Sequence, residues 1–264
     1  MRILKNWKFM LVISVAILLF MVIALFVYLY IFQEEKVAIL TYHDIVDNIP
    51  EEQLGNTVNI TTKKFEKQIK WLADNNYTTI SFEDLYNWKV NGKSLPRKSV
   101  ILAFDDGWTS FYTKAIPILE KYNMKGAVFA VLKNSANVTP DNAYCINLEQ
   151  IQDIMNNHPN IEVLSHSYNL HIRENANSND YNVYTNDIYE VKKYISNPKY
   201  YAYPFGIHND EYIQALKDNG CKLAFAFGPY DFVKKTDDNY KIPRLGIFET
   251  TSDWKFKLKM FLEM

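Results

Sequence analysis

From residue 37 onward, short apolar segments alternate with amphipathic stretches, and this alternation indicates a parallel sheet covered by helices. The segments predicted to be strands are Val37–Tyr42, Tyr77–Ile80, Val100–Phe104, Gly126–Val131, Ile161–Ser165, Tyr200–Tyr203, Lys222–Phe227 and Tyr240–Pro243. Eight candidate strands in about 228 residues favour an α/β fold of the (β/α) barrel type, complete, incomplete or distorted, over an open doubly wound sheet.

Three of the intervening stretches begin with residues that favour a helix start. The predicted helices are Phe82–Val90 after Ser81, Leu148–Asn157 after Asn147, and Asp210–Asn219 after Asn209. The segment Arg173–Tyr184 is rich in Asn and Asp, which predicts an exposed loop. Because no repeat and no long linker divides the chain, we expect one domain over residues 33–264.

The N-terminal segment Phe9–Phe32 has 24 residues, and Ser14 is its one polar residue apart from two tyrosine hydroxyls. This run is long enough to span a membrane, and its bulky end lacks the small-residue cleavage site of a signal peptide. Three basic residues precede it, namely Arg2, Lys5 and Lys8. By the positive-inside rule we expect a cytoplasmic N-terminus at 1–8, a single-pass signal anchor at 9–32 and an extracellular domain at 33–264, located at the cell membrane.

The overall composition excludes two classes of protein. With 29 Lys+Arg against 30 Asp+Glu, the chain has no net basic character and is not expected to bind nucleic acid. Hydrophobic residues at 48% and charged residues at 22% exclude wholesale disorder. The aromatic fraction of 15% suits either an aromatic core or surfaces that stack on sugar rings. Cys145 and Cys221 carry no spacing motif, so a disulfide and two buried thiols remain alternatives.

Polar and ionisable residues directly follow the predicted strands. They are His43 and Asp44, Asp105 and Asp106, His166 and His171, Pro204-Phe205-Gly206, and Arg244. In a parallel barrel all of these positions lie at the C-terminal face, where such folds carry their active sites. The sequence therefore predicts one polar site built from separate strands.

The ligand types at this face suit a divalent metal. His166 and His171 are five residues apart, a spacing that does not share a helix face, but a loop can bring both rings to one ion. With a carboxylate from the adjacent pair Asp105-Asp106 they form an open three-ligand site of the type found for catalytic zinc. A solvated Asp-Gly turn and a structural loop histidine are the simpler alternatives.

Three motifs resemble the polysaccharide deacetylase family of carbohydrate esterases. These are Phe104-Asp105-Asp106-Gly107, the loop from His166 to His171, and Tyr203-Pro204-Phe205-Gly206, and the resemblance covers about residues 37–250. The early Tyr42-His43 pair and the five-residue histidine spacing are similar to the branch that removes N-acetyl groups from the biofilm polymer poly-β-1,6-N-acetyl-D-glucosamine. In the common family pattern the two metal histidines are four positions apart and an Arg stands shortly before the Pro-aromatic pair. In this chain the histidines are five positions apart and Ala202-Tyr203 stand before that pair.

The resemblance implies a role for each candidate residue in a metal-assisted hydrolysis. Asp106, His166 and His171 hold a divalent cation, expected to be Zn²⁺. Asp105 is the general base, His43 is the general acid, and the Phe205 amide, presented after Pro204, donates to the oxyanion. Asp44 orients His43, and Arg244 keeps Asp105 ionised. Trp108 is either a stacking platform for a sugar ring or a packing residue. His158 is expected at a helix end or the surface, and neither it nor His208 is placed in the site.

Several related functions remain open at this stage. A peptidoglycan or chitooligosaccharide N-deacetylase and an O-acetyl esterase of the same family would use the same residues. A non-catalytic glycan-binding surface protein is the alternative from another class, although binding alone requires neither a base nor a metal site. The expected partners are an N-acetylglucosamine polysaccharide, the membrane and a glycan synthase.

Overall fold

The N-terminal unit is a single helix. The computed structural model describes residues 2–31, 35–55, 58–139, 143–228 and 230–263, and divides into two compact units at residues 1–35 and 36–264. Helix α1 covers Arg2–Ile31, and its side chains are described at residue 7 and over residues 9–25. Within the described residues, no helix has the length and apolar character that crossing a membrane requires. The anchor predicted over Phe9–Phe32 is not supported by this finding, and its last side chains lie outside the described residues.

The second unit is built on a curled, largely parallel sheet. Its strands, with the separate pair β2 and β3, are β1 (Lys36–Tyr42), β2 (Ile45–Val46), β3 (Ile60–Thr61), β4 (Thr78–Thr79), β5 (Ser99–Phe104), β6 (Gly126–Ala130), β7 (Ile161–Ser165), β8 (Tyr200–Ala202), β9 (Leu223–Phe225), β10 (Val233–Lys234) and β11 (Leu245–Gly246). The strand order is β10-β1-β5-β6-β7-β8-β9, with β11 on β1 and β4 on β5. Only β10 runs antiparallel to its neighbour in the described sheet.

This sheet is an incomplete (β/α) barrel, as the strand and helix pattern predicted. The last predicted strand, Tyr240–Pro243, is wrong. In its place Ile242 makes a single bridge to Phe225, and the next strand begins at Leu245. Pro243 lies between the two and has no amide hydrogen for a continuous ladder.

The helices of the second unit pack around the sheet. They are α2 (Thr62–Asp74), α3 (Phe82–Asn91), α4 (Ile116–Lys121), α5 (Leu132–Ala136), α6 (Leu148–Asn157), α7 (Arg173–Ala176), α8 (Tyr181–Val191), α9 (Asp210–Asp218) and α10 (Asp253–Glu263). The predicted helix starts are confirmed, with reciprocal capping boxes at α3 and α6 and an Asn209 cap on α9.

The exposed loop predicted over Arg173–Tyr184 is wrong in two places. It contains the short helix α7, and α8 begins at Tyr181, where Asp180 accepts a hydrogen bond from the Asn182 amide. Helix α8 is held by a stripe of buried residues at helical spacing, which begins at the last residue of the predicted loop. These residues are Tyr184, Ile188 and Val191. The prediction of a loop relied on the Asn and Asp content of residues 173–184, and that content gives no indication of the buried stripe.

Two apolar layers hold the barrel together. Along β1, Val37 and Ile39 face the barrel interior, whereas Ala38 and Leu40 face the surrounding helices. Both faces of β1 and β5 are buried, which is the pattern of strands in a parallel sheet. Because these strands are parallel and fixed in register, their carboxyl ends meet at one edge of the sheet.

Candidate active site

The two adjacent carboxylates lie in the tight turn that follows β5. The Asp105 amide donates to the Tyr42 carbonyl at 2.9 Å, which continues the ladder one residue past the strand. Asp106 and Gly107 then adopt left-handed conformations, with φ of 72° and 74°. A Cβ on Gly107 would lie 3.3 Å from the Ala130 backbone, so a side chain at this left-handed position would be both strained and crowded. The turn gives the two carboxylates different surroundings.

Asp106, His166 and His171 form the cluster that the sequence predicted. Their candidate ligand atoms all lie within 4.8 Å of one another. Asp106 Oδ1 is 3.0 Å from His171 Nε2 and 3.5 Å from His166 Nε2. Burial alone would raise the pKa of Asp106, but hydrogen bonds from His166 and His171, with the positive charges of protonated His166 and His43, hold it well below its ordinary value.

The orientation of His166 is fixed by the neighbouring strand. Its Nδ1 lies 2.8 Å from the Ala202 carbonyl oxygen at the end of β8, so Nδ1–H donates there. In the neutral ring this hydrogen bond leaves the Nε2 lone pair directed to the cluster, as in metal-binding histidines. His166 is buried, whereas Asp106 and His171 are half-buried, so the cluster is reachable from one side.

Trp108 has a contact that sequence reasoning missed. Its indole Nε1 donates to Asp106 Oδ2 at 3.1 Å, so both oxygens of this carboxylate are engaged. The left-handed turn at Asp106 and Gly107 brings a residue only two positions away onto the same carboxylate. The Trp108 ring lies 6.0 Å from the Tyr144 ring, and stacking on a sugar stays a prediction.

Asp105 forms a buried ion pair with Arg244. Arg244 Nη1 lies 2.7 Å from Asp105 Oδ1, and Arg244 Nε donates to the Ala226 carbonyl. Burial alone would raise the pKa of Asp105, but the nearby positive charges, Arg244 foremost, hold it below its ordinary value. The pairing expected between these two residues is therefore present, and it favours an ionised Asp105.

His43 lies at the end of β1, held by packing. Its ring is half-buried and meets the edge of Phe227 at 5.6 Å between centroids. Its Nδ1 is buried and has no hydrogen-bond partner among the described residues. Burial lowers the pKa of His43, while the carboxylates of Asp105 and Asp106 favour its charged form.

Asp44 is engaged away from His43. Its Oδ1 accepts a hydrogen bond from Ser110 Oγ at 2.6 Å, and the same hydroxyl accepts from the Ile45 amide. The structure thus gives Asp44 a role in fixing the chain after β1. Its expected influence on the orientation of His43 stays a prediction.

The turn after β8 presents Phe205 beside the histidine cluster. Pro204–Gly206 form a 3₁₀ turn in which Phe205 has φ of 58° and Gly206 has φ of 70°. A Cβ on Gly206 would lie 2.5 Å from the Phe227 amide nitrogen, which excludes any larger residue there. The Phe205 ring packs on His171 at 4.5 Å between centroids. The hydrogen bonds of the turn use the amides of Gly206 and Ile207, and the expected donation from Phe205 N–H stays a prediction.

The remaining histidines and both cysteines lie outside the cluster. His158 caps the end of α6 and contacts Glu120, as expected for a residue at a helix end. His208 Nδ1 bonds to the Gly206 carbonyl. Cys145 and Cys221 are buried free thiols, which decides between the two alternatives that the sequence left open.

Comparison with known proteins agrees with this arrangement. The family model described as polysaccharide deacetylase matches residues 92–224, about half of the chain. That range contains Asp105, Asp106 and both cluster histidines. His43 and Arg244 lie outside it.

Individual relatives extend the similarity to more of the chain. A poly-β-1,6-N-acetyl-D-glucosamine N-deacetylase of Staphylococcus epidermidis is 29% identical over an alignment of 206 residues, and the match covers 73% of this chain and 70% of that protein. A deacetylase of Streptococcus pyogenes solved with acetate has a TM-score of 0.77 at 24% identity, covering 86% of this chain and 99% of that one. A de-N-acetylase of Aggregatibacter actinomycetemcomitans has a TM-score of 0.74 at 24% identity, covering 85% and 99%. The two solved structures share the fold of this chain.

Proposed function

The chain belongs to the polysaccharide deacetylase family, and on that premise we propose that it is a metal-dependent enzyme that removes N-acetyl groups from a cell-surface polysaccharide. The observation that carries the proposal is the pairing of two different carboxylates at one strand end. Asp106 faces two histidines, and Asp105 faces a buried arginine. This division supplies a metal ligand and an ionised base side by side, which is what a metal-dependent amide hydrolase requires.

The residues at the cluster fit a divalent cation. Two imidazole nitrogens and one carboxylate oxygen are the open three-ligand set typical of catalytic zinc. Hydrogen bonds to Ala202 and Trp108 orient two of the three ligands, as is usual around such sites. We therefore propose Zn²⁺, held by Asp106, His166 and His171. When bound, the ion supplies Lewis acidity toward the acetamide carbonyl and the attacking water.

The remaining steps are proton transfers by residues of the chain. Asp105 takes a proton from the attacking water through Oδ2, because Oδ1 is paired with Arg244. The water oxygen bonds to the acetyl carbon, and the Phe205 amide donates to the developing oxyanion. His43 donates a proton to the amide nitrogen as the carbon–nitrogen bond breaks, since an amide nitrogen cannot leave as an anion at neutral pH. The products are acetate and a free amine on the sugar.

The substrate we propose is poly-β-1,6-N-acetyl-D-glucosamine, in the formation of a biofilm matrix. The support is the Staphylococcus epidermidis relative, whose name gives that substrate. The five-residue spacing of the cluster histidines and the absence of an Arg before Pro204 also favour this branch. Peptidoglycan, chitooligosaccharides and O-acetylated glycans are the alternative substrates.

Removing the proposed acid tests the mechanism. We expect His43→Ala to retain Zn²⁺ and to lose about 10²–10⁴-fold in kcat on an N-acetylated oligomer. The loss is expected to be much smaller on an activated acetyl ester, whose leaving group needs no proton. His158→Ala, at the end of α6, serves as the control and should match the unmodified protein on both substrates. Equal losses on amide and ester would rule out His43 as the general acid.

We also propose a location at the cell surface, where the polymer lies, and association with a glycan synthase. The proposed location rests on the sequence alone, on the apolar run at 9–32 with basic residues before it. Cell fractionation with an activity assay of each fraction tests it. Activity confined to the cytoplasmic fraction would contradict it.

A further inference from the structure

The chain between the two cluster histidines has no regular secondary structure of its own. Residues 167–170 connect His166 to His171, and Ser167 has a left-handed φ of 83°. On one side this segment is fixed by α5, because the Leu132 and Lys133 amides donate to the carbonyls of Ser167 and Tyr168 at 3.1 and 3.0 Å. Two carbonyls of the segment are therefore held by the start of a helix.

Two amides of the same segment are held by a single side chain from α8, while the Ser167 and Leu170 amides bind the hydroxyls of Ser165 and Ser167. Asp187 Oδ2 accepts from the Tyr168 amide at 2.8 Å, and Asp187 Oδ1 accepts from the Asn169 amide at 2.7 Å. Both oxygens of one carboxylate thus bind consecutive amides midway between the two histidines. Tyr168 and Asn169 are two residues from His166 and His171 respectively.

The helix that carries Asp187 is firmly packed. Tyr184, one turn earlier, is fully buried and stacks on Tyr212 of α9 at 3.9 Å between centroids. Ile188 and Val191 are buried on the same side of α8. A rigid support of this kind is what holds functional side chains in a fixed geometry.

Burying a carboxylate at this position costs free energy, and its hydrogen bonds offset part of that cost. Asp187 is 6% exposed, and burial raises its pKa to about 6 despite the two backbone hydrogen bonds. An Asn of the same size has one acceptor oxygen and an NH₂ group, so it would place a donor against one of the two amides. The proposed reaction steps do not use Asp187, which leaves its burial unexplained by them.

We propose that Asp187 is a positioning residue for the metal cluster, because it fixes the segment that sets the separation of His166 and His171. This inference rests on the proposed function, in which those two imidazoles hold the ion. Groups that orient metal ligands typically contribute about 10- to 100-fold in metal affinity, and Asp187 acts on both histidines through the backbone two residues from each.

Asp187→Asn in the full chain tests the inference, with Asp180→Asn as the matched control. Asp180 is the N-cap of the same helix, and Asn is an equally good cap, so the control makes the same chemical change away from the segment. Zn²⁺ alone is the first probe, titrated against a chromophoric chelator. Co²⁺ is the second, because its visible absorption reports the geometry of the ligands around it. Thermal unfolding of the metal-free proteins is recorded alongside.

We expect Asp187→Asn to bind Zn²⁺ about 10- to 100-fold more weakly and to shift the Co²⁺ absorption bands, whereas Asp180→Asn matches the unmodified protein. A purely structural role would lower the unfolding temperature and leave affinity and spectrum unchanged, and that result would overturn the inference. If Asp187→Asn does not fold, amide hydrogen exchange in the unmodified protein decides. Slow exchange at Tyr168 and Asn169 supports the inference, and exchange as fast as in an open loop overturns it.

The same titration separates this inference from the proposed function. If the unmodified chain binds no Zn²⁺, the proposed metal-dependent function fails and the role of Asp187 fails with it. If the unmodified chain binds Zn²⁺ and Asp187→Asn binds it equally well with the same spectrum, only the role of Asp187 fails.

Discussion

Alanine at His166 or at His171 is expected to remove most of the bound Zn²⁺ and nearly all deacetylase activity. Each substitution leaves two of the three candidate ligands, and two protein ligands hold the ion poorly. Metal content after gel filtration and amine release from an N-acetylated oligomer measure the two effects separately. His158→Ala is the control, because that ring contacts Glu120 and Asp153 outside the cluster.

Chelation of the unmodified protein should reproduce the loss of activity. The fold should remain, since the core of the barrel is apolar and the cluster lies at its edge. Circular dichroism of the chelated protein checks this point. Full metal occupancy in both histidine variants would show that the ion is held elsewhere.

The two neighbouring carboxylates should respond differently to the same substitution. Asp105→Asn preserves the shape of the side chain but cannot take a proton from water, so we expect Zn²⁺ to be retained and kcat to fall about 10²–10⁴-fold. Asp106→Asn removes a charged ligand, so Zn²⁺ affinity itself should fall, and excess Zn²⁺ should restore part of the activity. Titration of metal binding beside kcat distinguishes the two variants.

The contacts of each carboxylate give the physical reason for this difference. Asp105 pairs with the buried Arg244, whereas Asp106 lies between two imidazoles and an indole. Loss of Zn²⁺ in Asp105→Asn together with its retention in Asp106→Asn would require the two roles to be exchanged. Unchanged rates in both variants would contradict hydrolysis at this site.

The parts of the fold that depend on local pattern could be predicted from the sequence. The strands that end at Tyr42 and Phe104 are continuous apolar runs buried on both faces, and the capping residues of α3 and α6 act within three positions. The face of the barrel that carries the cluster follows from parallel strands alone. These features can be predicted without knowing which distant segments of the chain contact one another.

The features that sequence reasoning missed depend on contacts between distant segments or on backbone geometry. Trp108 reaches Asp106 only because the turn between them is left-handed. Asp187 reaches the histidine segment from 18 residues away, on a helix within a stretch whose start resembles a loop. No strand forms over Tyr240–Pro243. Ile242 makes only a single bridge there, and Pro243 has no amide hydrogen with which to continue a ladder.

Release of free amines from β-1,6-linked N-acetylglucosamine oligomers by the full chain tests the proposed activity most directly. The assay compares Zn²⁺-loaded protein, chelated protein and chelated protein with Zn²⁺ restored, with β-1,4-linked oligomers and O-acetylated xylan alongside. We expect amine release only with the ion present, and a higher kcat/KM on the β-1,6 oligomers than on the other two substrates. Protein that retains Zn²⁺ at the cluster and releases no amine from any N-acetylated oligomer would contradict the proposed function.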